Sequence, residues 1–220
     1  QLMRGIYAVS AVGLFYLALT DIPLADATAL IFITPIVVTI LSPFMLKEHV
    51  GVRRWVAVIL GFGGVLLIVQ PGFQEVRMGT LAGLSAGFLF GLFSISSRVL
   101  ARQDDPLLTV VYTALVGAVG LAPAIPAFFV MPAVIDIWPF LGMLVLAGLG
   151  QVMMMYAFVA APAVVVTPFI YVTILAASAI GYFYFGDFPD ALSWVGVVIL
   201  IAVGIYIAVR ESRAKETVSD

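Results

Sequence analysis

The chain reads as an all-α polytopic membrane protein, and three observations predict it. Apolar residues make up 64% of the sequence and charged residues only 10%, with a mean hydropathy of +1.21. A soluble domain of 220 residues cannot hide that much apolar surface, because its exterior must be substantially polar. The apolar residues are gathered into runs of about 20, the length at which a helix crosses a bilayer. The third observation is that the basic residues segregate by side once those runs are counted. A β-barrel would alternate apolar and polar residues over ~10-residue segments, and no such pattern occurs.

Eight runs qualify, at roughly 5–20, 24–46, 52–70, 79–98, 107–129, 137–159, 163–185 and 191–209. The first is short. The second holds Pro35 and Pro43, and the seventh Pro168, each of which removes a helical hydrogen bond and should kink or loosen its helix. The third opens near Trp55 and the eighth near Trp194, as interfacial anchors would. The fourth carries Gly79, Gly83, Gly87 and Gly91, a ladder of spacing four flanked by Ala82 and Ala86. Small residues at that spacing let helix backbones approach closely in lipid. Gly61, Gly63 and Gly64 in the third run and Gly142, Gly148 and Gly150 in the sixth suit the same purpose. Met153–Met155 reads as adaptable packing or cavity lining. The polar stretch Arg210–Asp220 reads as a frayed tail.

Eight crossings put Arg4, Lys47, Arg53, Arg54, Arg98, Arg102, Arg210, Arg213 and Lys215 on one side and Arg77 alone on the other. By the positive-inside rule, the first side is cytoplasmic and so are both ends of this chain. Missing or inventing one span would scramble the split. Arg98 and Arg102, at the end of the fourth run, read as topological anchors. There is no cysteine, so no disulfide supports the fold and no redox compartment can be read. No cleavable signal peptide is expected.

The sequence also repeats itself. At a constant shift of 139, Ile22–Ile68 lies on Ala161–Ile207 without a gap: Pro23 meets Pro162, Thr28 meets Thr167, Ile31 meets Ile170 and Thr34 meets Thr173. Farther along, Phe44 meets Phe183, Glu48 meets Asp187 and Trp55 meets Trp194. The shift carries the second run onto the seventh, an odd number of crossings away, so the copies should be inverted. Inverted repeats are the architecture of alternating-access carriers, with the substrate site between the halves. Five spans of the second copy follow Gly79, which places the start of the first about 60 residues before Gln1. Two further helices fit there. The expected organisation is thus an incomplete first repeat at 1–70, a five-span second repeat at 77–210 and a cytoplasmic tail at 211–220. The whole would be a ten-helix fold of two inverted five-helix halves.

Catalytic signatures are missing. There is no HExxH, no paired carboxylate within a run and no cysteine, and the single histidine, His49, lies in a loop. No filter loop or charged ring suggests a channel. Asp21 and Asp26 fall near the outer end of the second run. Glu48 and Asp187 close the second and seventh runs, as gate or helix-end residues or as solvated ones. The polar residues inside the runs are neutral: Tyr16, Thr28, Thr34, Ser94, Gln151, Tyr156, Thr167, Tyr171 and Thr173. Gln151 stands out because a primary amide deep in a helix needs partners, and Tyr171 shares a helix face with Pro168. Each of them either contacts substrate or hydrogen-bonds a neighbouring helix.

The run Leu24-Ala25-Asp26-Ala27-Thr28-Ala29-Leu30 through Thr34-Pro35, then Leu46-Lys47-Glu48, then Trp55 through Gly61-Phe62-Gly63-Gly64, resembles the EamA family of the drug/metabolite transporter superfamily. The second copy resembles it at Ala163–Pro168, Phe185-Gly186-Asp187 and Trp194-Val195-Gly196, with Asp187 replacing the more usual Glu. The segment Tyr182–Asp190 is similar to S-adenosylmethionine and riboflavin carrier subgroups. The resemblance implies ten spans, cytoplasmic termini and a central cavity bounded by the helices that match runs one, two, four, six and seven.

The function expected is a secondary active transporter moving a small organic metabolite across the cytoplasmic membrane by alternating access. A multidrug or small-molecule exporter is the alternative within that class. A non-transporting membrane enzyme or lipid-handling protein is the alternative outside it. Expected partners are the lipid bilayer and the solute, with room for a coupling proton or ion, as a monomer or a homodimer. No enzyme activity, cofactor, metal or nucleic-acid partner is expected.

Overall fold

In a computed structural model of the chain, residues 1–220 are described apart from 23, 49, 73–76, 123–134, 136, 181, 184–190 and 220, with the backbone alone at 25, 177–178 and 208–219. The described residues are helical throughout, without a strand. In order they form α1 (Leu2–Leu19), α2 (Leu24–Ile31), α3 (Thr34–Met45), α4 (Val52–Val69), α5 (Met78–Ala101), α6 (Pro106–Leu121), α7 (Ile137–Ala160), α8 (Ala163–Val166), a 3₁₀ turn (Thr167–Tyr171), α9 (Val172–Ile180) and α10 (Ala191–Ser219). Among the described residues, five segments are long and apolar enough to cross a membrane: Leu2–Leu19, Asp26–Met45, Val52–Val69, Met78–Ala101 and Ile137–Ala160. Three further apolar helical segments, Pro106–Leu121, Ala163–Ala176 and Ala191–Ile207, are shorter. The expected end of the fifth run, to residue 129, lies outside the described residues. Helix α10 runs on through Arg210 to Ser219, into the expected tail.

The apolar surface is on the outside. Leu141, Met143, Leu144, Val145 and Leu146 of α7 are all exposed, and only Met155 and Phe158 of that helix are buried. An aqueous fold could not leave a helix face of this kind bare, whereas hydrocarbon solvates it.

Helix α5 is the organising element. Its glycine ladder faces the first three helices so closely that a Cβ would strike them. At Gly79 it would lie 2.9 Å from Asp21 Cβ, at Gly83 2.8 Å from Leu30 Cδ1, at Gly87 2.7 Å from the Leu30 carbonyl oxygen and at Gly91 2.6 Å from Val37 Cγ1. Helices α4 and α10 cross in the same way, Gly64 over the Gly196 carbonyl. Small residues thus set both approaches. The core divides into three parts. Ala18, Ile22, Ala27, Leu30 and Ala82 join α1, α2 and α5. Val38, Ile95, Met155, Phe158 and Val164 join α3, α5, α7 and α8. Phe32, Val65, Tyr171, Ile174 and Leu200 join the α2 end to α4, α9 and α10.

The two proline-bearing segments are interrupted at related places. Pro35 has no N–H for the Ile31 carbonyl, and the helix breaks between α2 and α3. Thr34 Oγ1 lies 2.8 Å from that carbonyl oxygen and 3.0 Å from the Gly87 carbonyl oxygen, so its single proton serves the break and ties it to α5. In the other segment Pro168 sits in the 3₁₀ turn, and α9 starts at Val172. Local bonds recur 139 residues apart: Thr28 Oγ1 donates to Leu24 O as Thr167 Oγ1 does to Ala163 O, and Thr34 to Ile31 O as Thr173 to Ile170 O.

Candidate functional site

Two polar clusters lie side by side at one end of the bundle, and both use the last turns of α5. The first is built on Glu48, which follows α3 and is buried at 8% exposure. Its Oε1 accepts from Arg98 Nε at 3.0 Å and from Arg102 Nη2 at 3.2 Å, and its Oε2 accepts from the backbone N–H of Ala163 at 3.0 Å. Arg98 is buried too, and its Nη1 donates to the carbonyls of Phe158 and Val159 at the end of α7. One carboxylate therefore joins α3, α5 and the α7–α8 corner. A buried ion pair contributes little unless its remaining hydrogen-bond capacity is met, and both Glu48 oxygens and the inner guanidinium meet theirs here. Arg102 is half exposed and adds less. The reading of Arg98 as a topological anchor is corrected: it is a buried partner of Glu48. The solvated alternative for Glu48 does not hold either.

The second cluster centres on Arg4, which the sequence placed ahead of the first run. Helix α1 begins at Leu2, so Arg4 lies inside it and is buried at 1% exposure. Its Nε donates to Ser97 Oγ at 2.7 Å, and its Nη1 donates to the Thr109 carbonyl at 3.0 Å and to Thr113 Oγ1. Its Nη2 faces the Met155 thioether at 3.4 Å, and the guanidinium lies 4.6 Å from the centre of the Phe93 ring. Four helices meet at this side chain: α1, α5, α6 and α7.

The remaining expected site residues are scattered. Thr28, Thr167 and Ser94 give their hydroxyls to carbonyls four residues back in their own helices. Thr173 does so three residues back. Tyr171 is buried against Phe32, with its hydroxyl 3.4 Å from the carbonyl oxygens of Phe32 and Val58, so of its two readings the interhelical one describes its position. Tyr16 and Tyr156 are exposed on the bundle surface. Gln151 is half buried and has no hydrogen-bond partner among the described residues. Asp21 accepts from the N–H of Gly79 at 2.7 Å and Asp26 from that of Gly72 at 2.8 Å, so both serve loop and helix ends. His49 and Asp187 lie outside the described residues.

The arrangement has no nucleophile beside a base, and no group of three His, Cys, Asp or Glu that could hold a metal occurs among the described residues. What it offers is charge held between helices at the mouth of an apolar bundle. Over this geometry, the sequence profile of the EamA-like transporter family matches residues 1–70 and 77–210. The chain belongs to the EamA-like transporter family. Among relatives of this EamA protein, a riboflavin transporter of Vibrio cholerae is 30% identical over 216 residues, covering 97% of this chain and 72% of that protein. An S-adenosylmethionine uptake transporter of Rickettsia bellii is 25% identical, covering 97% and 74%. A pseudopaline exporter of Pseudomonas aeruginosa is 27% identical, covering 93% and 72%. A solved crystal structure superposes with a TM-score of 0.80 at 17% identity, covering 91% of this chain and 74% of that one, so the fold is shared. The EamA protein is therefore a multi-pass membrane protein of a transporter family.

Sequence reasoning passed over Arg4 and the partners of Glu48. Arg4 stands next to Gly5 at a run boundary, and the 139-residue shift sets it against the apolar Met143, so the repeat carries no hint of it. For Arg98 a signal did exist. Arg98, seven residues beyond Gly91, continues the α5 face that carries Gly87 and Gly91, the face turned to the bundle interior.

Proposed function

We propose that this EamA protein is a secondary active transporter that moves a small organic metabolite across a bacterial cytoplasmic membrane by alternating access. The observation that carries this reading is the Glu48 cluster. It ties the first repeat, through Glu48, to the second, through Arg98, Arg102 and Ala163, with an ion pair at one end of the described bundle, whereas at the other end Asp21 meets only the backbone N–H of Gly79. A carrier needs such a releasable tie, because each half must part from the other on alternate sides. The interrupted segments α2–α3 and α8–α9, with their matching local bonds, support two related halves. Broken helices in carriers lie where the cavity is lined. On this reading the arginine-rich end is cytoplasmic and is closed in this conformation. The whole protein has ten helices in two inverted halves.

Counterflow in liposomes containing the full-length protein tests the reading. Labelled riboflavin, S-adenosylmethionine and a panel of similarly sized polar metabolites are offered, and saturable exchange of at least one is expected. No exchange across the panel would sink the carrier reading in favour of a non-transporting membrane protein. The similarity to the pseudopaline exporter favours a second reading, export, which right-side-out and inverted vesicles distinguish by the side on which solute accumulates. For orientation, a fluorescent protein fused after Asp220 is expected to fluoresce in the cytoplasm. Activity of a periplasm-only reporter at that position would refute the proposed topology.

A further inference from the structure

Arg98 stands in a late turn of α5 and Arg4 reaches that turn from α1, and the two are treated differently. Arg98 has a carboxylate. Arg4, which contacts the adjacent Ser97 and is the more buried of the two, has none among the described residues: every partner it makes there is a hydroxyl, a backbone carbonyl, an aromatic face or a thioether. Neutral acceptors and the Phe93 ring lessen the cost of holding a cation there but do not cancel its charge. A charge kept inside a membrane bundle at such cost marks a solute or ion pathway more often than a packing role.

The geometry also shows which edge is least well satisfied. Nε and Nη1 have oxygen acceptors in Ser97, Thr109 and Thr113. Nη2 has only the Met155 sulfur at 3.4 Å, a weak acceptor on an unbranched and flexible side chain. An oxyanion there would replace a poor acceptor with a charged one. With Nε and Nη1 already engaged, a carboxylate there would take a charge-assisted bond from Nη2.

We infer that Arg4 is the anion-recognition residue of the transport site: the solute carries a carboxylate, which docks on the Nη2 edge of this guanidinium as the Met155 side chain swings aside. The inference rests on the transporter reading above and narrows its substrate class to organic acids and zwitterions. Partial neutralisation of Arg4 by the solute also supplies differential binding between loaded and empty states, which any carrier needs to couple occupancy to conformation.

The test uses the purified full-length protein in detergent and follows thermal unfolding with matched acid and amide pairs. The pairs are methionine and methioninamide, phenylalanine and phenylalaninamide, and nicotinate and nicotinamide, with inorganic phosphate and chloride as further probes. At least one acid is expected to stabilise saturably, and its amide, phosphate and chloride far less. In Arg4→Met the acid's affinity is expected to fall by about thirty-fold or more, as when one partner of a buried charge pair is removed. Arg4→Lys keeps the charge but cannot serve Ser97, Thr109 and a ligand from one planar group, and is expected to lose about tenfold. It decides the matter if Arg4→Met fails to accumulate. Equal stabilisation by acid and amide, stronger stabilisation by phosphate or chloride, an unchanged response in both variants, or no response to any acid overturns the inference. Counterflow separates it from the reading beneath it. Exchange of a neutral solute that persists in Arg4→Met removes only the Arg4 assignment, whereas no exchange by the unmutated protein removes the carrier itself.

Discussion

Replacing Glu48 by alanine is expected to lower the stability of the bundle by about 3–5 kcal/mol, the usual loss when one member of a buried ion pair is removed. The loss is large because three donors are stranded at once. Arg98 Nε and the N–H of Ala163 are inside the bundle, and Arg102 retains water as a substitute. Arg98→Met should cost less, since Glu48 keeps Arg102 and the Ala163 N–H. The double variant should cost less than the sum of the singles, because residues of one network do not act independently. In detergent, thermal unfolding of Glu48→Ala should fall by about 10 °C for a chain of this size. A second measurement separates a releasable tie from a merely structural one. The 220 residues hold no cysteine, so Ser42→Cys introduces a thiol at a fully buried position whose own carbonyl receives the N–H of Glu48. With Glu48 intact the thiol should be shielded from a membrane-impermeant maleimide added from the arginine-rich side. In the Glu48→Gln background it should become reactive as that end parts. Lower stability with unchanged labelling would leave Glu48 a structural role and no part in opening.

The membrane class of this chain was readable because it depends on averages. Run length, overall hydropathy and the clustering of arginine survive errors of a few residues at each boundary. The glycine ladder was readable for a related reason: spacing four repeats along one helix face, and every rung meets α1, α2 or α3. The site was harder to see because it depends on partners distant in sequence. Glu48 lies 50 residues from Arg98 and 115 from Ala163 in the chain, and no local pattern announces either pairing. The hydroxyls misled in the opposite direction. A threonine or serine inside a helix looks like a free polar group, yet it satisfies itself on the carbonyl three or four residues back. Thr28, Ser94, Thr167 and Thr173 do this, and only Thr34 also reaches a second helix. Arg4 shows the remaining difficulty. Whether a basic residue at a run boundary points to water or into the bundle is decided by the helices beside it, and Ser97, Thr109 and Thr113 come from two of them.

Gly87→Ala poses a contest between two effects of opposite sign. Helix propensity alone favours alanine over glycine within a helix by up to ~1 kcal/mol. Packing opposes it, because the new methyl would lie 2.7 Å from the Leu30 carbonyl oxygen, 2.9 Å from Ile33 Cγ1 and 3.3 Å from Ile31 Cα. At Gly83 the nearest atom is Leu30 Cδ1, the far end of a side chain that can turn away, whereas at Gly91 the Val37 Cβ, which cannot, lies at 3.0 Å. At Gly87 two of the three nearest atoms are backbone, and they belong to the break that Thr34 ties to the Gly87 carbonyl. Relief therefore requires the whole α2–α3 junction to move off α5, and the Thr34 bond with it. Overpacking of this kind costs typically 1–3 kcal/mol, so packing should win and Gly87→Ala should lower the unfolding temperature. Gly142→Ala is the matched control, since nothing lies within 4 Å of a Cβ built there. With no clash to oppose propensity, that variant should be neutral or slightly stabilising. Gly87→Val should be worse than Gly87→Ala and should also impair counterflow, because the break it displaces leads into α3, the helix that Glu48 follows. Equal behaviour of Gly87→Ala and Gly142→Ala would mean that α5 does not approach the break so closely, and that glycine spacing in this helix reflects something other than contact.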